Sequence, residues 1–139
     1  MRAVDTMKAL KSRVTRGLPS QAYVPTCDNS GAKLLKIISV KGSKTSRGRI
    51  PAAGVGDLVL CSVKKGKIEM RKTVVPAIIV RQRMEYRRPD GMRVTFEENA
   101  AIVLKDEKGN PKGTIFKGPI AKEVAERWPA VAKVARMIV

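Results

Sequence analysis

Five arginines crowd the tip of one stretch. In AIIVRQRMEYRRPDGMRVTFEENAAIV, Ala77 to Val103, the cations Arg81, Arg83, Arg87, Arg88 and Arg93 are opposed at the tip only by Glu85 and Asp90. A guanidinium is always charged and offers a planar fork of donors that matches phosphate oxygens. The chemistry on offer is capture of a polyanion, and nucleic acid is the first candidate. Lys41, Lys44, Arg47 and Arg49 in KGSKTSRGRI extend the pattern, as do Lys64, Lys65 and Lys67 around Gly66, then Arg71 and Lys72. From Lys41 to Arg93 there are 14 Lys or Arg against 4 Asp or Glu, a local net of +10 in 53 residues. Charge runs are most often solvated loop faces. These stand between turn glycines that would let backbone amides approach phosphates as well, which favours contact. Arg13, Arg16 and Lys33 complete the set of candidate RNA-binding cations.

Other chemistries fit poorly. The chain has no histidine, so the usual general base near neutral pH is missing. Glu97 and Glu98 are adjacent on a strand pattern and would point to opposite faces, while Asp106 and Glu107 fall in a turn. Asp28-Asn29-Ser30-Gly31 reads as a turn, because Asx side chains and Gly meet its backbone needs unaided. Gly42-Ser43-Lys44-Thr45 lacks the glycine that precedes the lysine of a phosphate loop. In Pro51 to Asp57 the GxG is followed by Val59 where a dinucleotide fingerprint needs a third glycine. Lys105 to Gly113 lacks the alternating ligands of a calcium loop. Cys27 and Cys61 have no CxxC spacing and read as buried reduced thiols in a reducing cytoplasm. The expectation is a protein with no catalytic residues, no cofactor and no metal.

Elements must hold the cations outward. Ala77 to Val80 is an apolar run suited to a buried strand, and Ile78, Val80, Met84 and Tyr86 share one parity while Arg81 and Arg83 take the other. Arg88-Pro89-Asp90-Gly91 should turn the chain. Met92, Val94 and Phe96 then share a parity on the way back, and Ala100 to Val103 is apolar again, so the stretch reads as one long hairpin with a greasy base. Gln21 to Cys27 and Leu34 to Val40 read as an earlier hairpin, Leu58 to Val63 as a strand ending in a tight turn at Lys64-Lys65-Gly66-Lys67, and Thr114 to Lys117 as a short last strand. Pro76 should mark an edge or a bulge. After Gly118-Pro119 the period changes: Ile120, Val124 and Trp128 recur every four residues, with Pro119 at the first helical position. Pro129 opens a second helix with Val131, Val134, Ala135 and Ile138 on one stripe. Trp128 reads as the plug that docks these helices on the strands.

With 139 residues the chain can bury roughly two-thirds of its unfolded surface as one domain without disulfides. We read residues 1–17 as a basic N-terminal extension and 18–139 as a single unit whose helices occupy about 119–139. Its 29 Lys and Arg against 12 Asp and Glu give a net charge of +17, a self-repulsion that a negative partner would offset. No stretch approaches the ~18–20 apolar residues of a spanning helix, and the N-terminus has no apolar signal region, so no membrane role is expected. The alternative to a protein set into folded RNA is a free-standing OB-like barrel coating single strands. That would need aromatic stacking surfaces, and only Tyr86 stands among the basic residues.

Several pieces occur together in order: Cys27-Asp28-Asn29-Ser30-Gly31-Ala32-Lys33, Ile37-Ile38-Ser39-Val40, Pro51 to Asp57, Ser62-Val63-Lys64-Lys65-Gly66, and Ala77-Ile78-Ile79-Val80 with Asp90-Gly91, Phe96, Asn99 and Ile102-Val103. With them the chain resembles the universal large-subunit ribosomal proteins of the L-fourteen family over nearly its whole length. Tyr86-Arg87-Arg88-Pro89, Gly118-Pro119-Ile120-Ala121-Lys122-Glu123 with Trp128, and the terminal Met137-Ile138-Val139 resemble its archaeal and eukaryotic branch. The resemblance implies a mainly β fold, a small five-stranded β-barrel with a protruding basic hairpin and two short C-terminal helices. It also implies a cytoplasmic, ribosome-bound protein that contacts large-subunit rRNA, small-subunit rRNA across the interface and neighbouring large-subunit proteins. Thr114 and Lys122 are then expected on a protein-facing surface, which by the same resemblance could receive a subunit anti-association factor.

Overall fold

A computed structural model of the chain describes residues 14–41 and 50–139. The elements in order are β1 (Leu18–Pro19), β2 (Tyr23–Pro25), β3 (Ala32–Val40), β4 (Ala52–Ala53), β5 (Leu58–Gly66) and β6 (Val74–Arg81). They continue with β7 (Tyr86–Arg87), β8 (Arg93–Val94), β9 (Ala100–Val103), α1 (Lys122–Arg127) and α2 (Pro129–Val134). One five-stranded sheet runs β2-β3-β5-β6-β9, antiparallel throughout, and β1–β4 and β7–β8 are separate two-stranded pairs. The fold is mainly β with two short C-terminal helices, as the sequence led us to expect.

Bulges make the sheet curl. The pairing of β3 with β5 shifts register between Ala32 and Leu34, between Leu34 and Leu35, and between Ile37 and Ser39. Each shift bends the strand and increases its twist. The outer strands are thereby brought round to meet: Thr26 and Ala101 form a parallel bridge, and the Cys27 amide donates to the Ala101 carbonyl at 3.1 Å. This narrow seam completes a small barrel.

Strand parity sorts the apolar side chains into two cores. Val24, Leu35, Ile37, Val59, Cys61, Val63, Ala77, Ile79, Ala101 and Val103 come from all five strands and fill the barrel. Leu58, Ile78, Val80, Ala100 and Ile102 have the other parity and meet Tyr86, Phe96, Phe116, Val124, Trp128 and Val131 outside it. Strand β6 is therefore covered on both faces, which explains why Ala77 to Val80 contains no polar residue. Burial of one such aliphatic side chain contributes about 1.5–3 kcal/mol.

Several expectations need correction. The long hairpin is interrupted: β6 pairs with β9 and β7 with β8, but 82–85 and 95–99 carry no ladder. Gln82 breaks it, because its fully buried amide bonds the Thr15 and Met84 carbonyls and the Val55 amide instead of facing solvent. Met84 and Met92 are exposed for the same reason, being outside the regular alternation. Strand β5 continues through Gly66, so the turn falls after Lys64 and Lys65, where Met70 donates to the Lys67 carbonyl at 2.9 Å. Pro76 lies in an inner strand, opposite Leu60 of β5 and with its carbonyl accepting the Leu104 amide at 2.9 Å, so it marks neither an edge nor a bulge. Thr114 to Lys117 forms a single bridge, Asp28 to Phe116, and not a strand. Pro119 precedes α1, whose N-cap is Ala121; Pro129 does stand at the start of α2. Ile138 is half exposed instead of lying on the buried stripe.

Gly66 is the position least able to change. Its φ is +146°, and a Cβ there would strike the Gly31 carbonyl oxygen and the Ala32 Cα, both backbone atoms. Gly66→Ala should therefore destabilise by at least about 3 kcal/mol, read as a lowered urea midpoint with unchanged slope. A midpoint within error of the parent would mean β3 and β5 do not approach so closely at their ends.

Candidate nucleic-acid interface

The hairpin tip is built as its residues dictate. The Gly91 amide donates to the Arg88 carbonyl at 2.9 Å, the Met92 amide to Asp90 Oδ1 at 3.0 Å, and Gly91 takes φ +90°. Pairing of Tyr86 with Val94 and of Arg87 with Arg93 follows from that turn. Arg87 and Arg93 are thus directly opposed and both exposed, an arrangement that like charges disfavour unless an anion lies between or beside them. Glu85 offsets part of this at 3.5 Å from Arg93 Nε. Arg83 is also exposed, its amide held by Asn99 Oδ1 at 2.8 Å.

Two arginines expected at this surface are turned inward. Arg81 is 7% exposed, packs against Gly118 and pairs with Glu98 at 3.2 Å, while its Nε has no hydrogen-bond partner among the described residues. The alternation that placed it on a cationic face assumed one solvated face, and β6 has none. Arg88 donates from Nε to Glu123 Oε2 at 2.9 Å and from Nη2 to the Val139 carbonyl at 2.6 Å. Glu123 also accepts from Tyr86 Oη at 2.8 Å. Burial first, and then the bond to Glu123, pushes the Tyr86 phenol well above its usual range. Tyr86 is 1% exposed and presents no ring to a base.

The remaining cations divide by how they are held. Lys41 pairs with Glu107 at 2.9 Å with both side chains about half exposed, a contact worth ~0–1 kcal/mol. Arg71 Nε donates to the Gly66 carbonyl at 3.1 Å, and Lys72 sits at φ +63° in the same turn. Arg16, Lys33, Lys64, Lys65, Lys67, Arg83 and Arg87 are exposed with no ion pair among the described residues. Arg13, Lys44, Arg47 and Arg49 lie outside the described residues. Thr114 is exposed and fixed through its amide to Asn29 Oδ1 at 2.7 Å; Lys122 is exposed at the first turn of α1.

The polar residues that shape this surface from beneath were not anticipated. The Gly56 carbonyl accepts Trp128 Nε1 and Arg127 Nη1, each at 2.9 Å, and Arg127 pairs with Asp57 at 3.6 Å. Asp57 Oδ2 in turn accepts the Gly54 amide at 2.8 Å. Arg127 at the end of α1 and Trp128 after it thus pin the turn from Gly54 to Asp57. Only the first-turn acid and last-turn base of α1 hinted at Glu123 and Arg127, and such residues are usually solvated.

The two thiols are not available as nucleophiles. Burial raises the Cys27 thiol to about 11 and Cys61 to about 12, so neither is a thiolate near neutral pH. Burial also raises the Asp28 carboxyl, whose oxygens are occupied by the Val103 amide at 2.9 Å and Ser30 Oγ at 2.8 Å.

Residues 17–139 match the family described as ribosomal protein L14p/L23e. The chain belongs to that family. Among L14p/L23e relatives, the large ribosomal subunit protein uL14 of Nanoarchaeum equitans is 53% identical over 133 residues, covering 96% of this chain and all of that protein. Those of Methanococcus vannielii and Methanococcus maripaludis are 53% and 54% identical over 132 residues, covering 95% of this chain and 99% of each. The resemblance to the L14p/L23e family read from the sequence is thereby established, and the relatives named are archaeal. Among the described residues no helix is long and apolar enough to cross a membrane.

Proposed function

We propose that this chain is a structural constituent of the large ribosomal subunit that binds folded large-subunit rRNA through its basic loops and hairpin tip. The observation that carries this is the facing pair Arg87 and Arg93, exposed at the end of the hairpin, where Glu85 is the one carboxylate paired with either among the described residues. Membership of a family whose relatives are named large ribosomal subunit proteins supports the same reading. Discrimination would come from the shape of folded RNA, since A-form major grooves exclude side chains. Residues 18–139 act as one unit, with 1–17 as a basic extension that adds Arg13 and Arg16 to the contact. On this reading the protein works in the cytoplasm on the ribosome, at the face that meets small-subunit rRNA. Thr114 and Lys122 would meet neighbouring large-subunit proteins or a factor that keeps subunits apart.

Catalysis forms no part of this reading. Glu98 is engaged with Arg81, Asp106 caps its own turn through the Lys108 amide, and both thiols are protonated. A coat on single strands is disfavoured as well, because Tyr86, Phe96, Phe116 and Trp128 are all buried and Tyr23 alone among the described aromatics is exposed.

Salt tests the proposal directly. If on the order of six phosphates are neutralised, log K for isolated large-subunit rRNA should fall with log salt at a slope of roughly −4 to −5. A slope near zero, or protein that sediments in light fractions apart from large subunits, refutes it.

A further inference from the structure

Three lysines that pair with no carboxylate among the described residues line one hollow of about 500 Å3. Lys33 comes from the start of β3, Lys67 from the turn after β5, and Lys117 from the segment leading to α1. Their backbones are tied to the same short stretch. The Lys67 amide donates to the Gly31 carbonyl at 2.9 Å, the Lys117 amide to Cys27 at 2.6 Å, and the Lys33 carbonyl accepts the Thr26 amide at 3.1 Å. The roots of the three side chains are therefore fixed relative to one another, while their ends make no ion pair or hydrogen bond among the described residues. Gly31, at φ +104°, leaves room for the Lys67 stem, which a Cβ there would approach to 3.3 Å.

The other groups at the hollow say what it can take. Asp28 lies on its wall but already satisfies the Val103 amide and Ser30, and Asn29 is committed to Thr114. No aromatic ring lines the space, so nothing there would stack on a base. Pre-placed positive charge without stacking or base-edge readout selects for backbone anions. We propose that the hollow seats phosphate groups of an RNA strand, giving the protein a second grip built from segments other than the hairpin. Lys117, which the sequence did not single out, is part of it. This rests on the rRNA-binding reading above and assigns one part of that surface.

The test compares two sets of variants of the full chain on deproteinised large-subunit rRNA. Lys33→Gln/Lys67→Gln/Lys117→Gln should flatten the dependence of log K on log salt by about 2, at roughly 0.7–0.9 per phosphate, without lowering the melting temperature, since the three side chains are exposed and unpaired. Arginine at the same three positions should keep the slope. Arg83→Gln/Arg87→Gln serves as the reference for the hairpin. If the hairpin variant flattens the slope and the lysine variant does not, the hollow is not a phosphate seat, though rRNA binding stands. If neither does, both readings fail. A lysine variant that binds rRNA like the parent but loses a protein neighbour on subunit reconstitution would assign the hollow to protein and overturn the proposal.

Discussion

Trp128→Ala is expected to lower the unfolding free energy by about 3–5 kcal/mol, the range for truncating a fully buried aromatic. Trp128 is 1% exposed in the core between the helices and the outer face of the barrel, and it is the chain's single tryptophan. The loss has two parts. One is the cavity left in this apolar cluster, where the ring lies over Gly109. The other is the indole N–H that Gly56 receives. Trp128→Phe separates them: it keeps most of the apolar volume and should cost only ~1 kcal/mol, for the missing donor, with Arg127 still bonded to Gly56. Urea unfolding followed by far-ultraviolet circular dichroism measures both, since the variants lack the fluorophore. A cost for the alanine variant below about 1 kcal/mol would mean that the helices do not dock on this side chain.

Glu123→Ala should be comparably severe, about 3–5 kcal/mol, because it leaves two donors buried without their acceptor. Glu123 is 5% exposed and Arg88 11% at the side chain, and the carboxylate takes both the guanidinium and the Tyr86 hydroxyl. The penalty belongs to the orphaned partners more than to the attraction itself. Hence the combined replacement Tyr86→Phe/Arg88→Met/Glu123→Leu should recover most of the loss, as well-packed apolar substitutes for buried ion pairs often do. Equal destabilisation by the single and combined variants would argue that shape, not charge pairing, holds the hairpin to α1. A single variant as stable as the parent would show Arg88 to be free for RNA after all.

The sequence was most legible where local chemistry decides the structure. Asp28 to Gly31 and Arg88 to Gly91 turn as their Asx, Pro and Gly residues require, and the four-residue recurrence of Ile120, Val124 and Trp128 marks side chains that are all buried. Strand order beyond the hairpins was not legible in the sequence, because pairing β3 with β5 across a long loop leaves no periodic mark. Within the site, the alternation argument failed at Arg81 for a definite reason: a strand buried on both faces has no solvated parity, so its last cation is buried too. Arg88 was misjudged differently. Nothing local distinguishes it from Arg87, and only the distant Glu123 decides which of the two turns in. Gln82 was passed over because a buried amide that joins three segments reads, in one dimension, like any polar strand end.

The seam between Thr26 and Ala101 joins parts of the chain far apart in order of synthesis. Until Ala101 has left the ribosome that makes it, Leu35, Ile37, Val59 and Ile79 have no lid, and the nascent protein presents an open, greasy trough with strongly cationic margins. Non-local closure of this kind is slow and leaves precursors prone to clump. Mutual repulsion between +17 chains works against that, at the price of ready adsorption to any nucleic acid nearby. Newly made copies are thus better served by an escort that shields their charge than by one that merely covers their apolar surface.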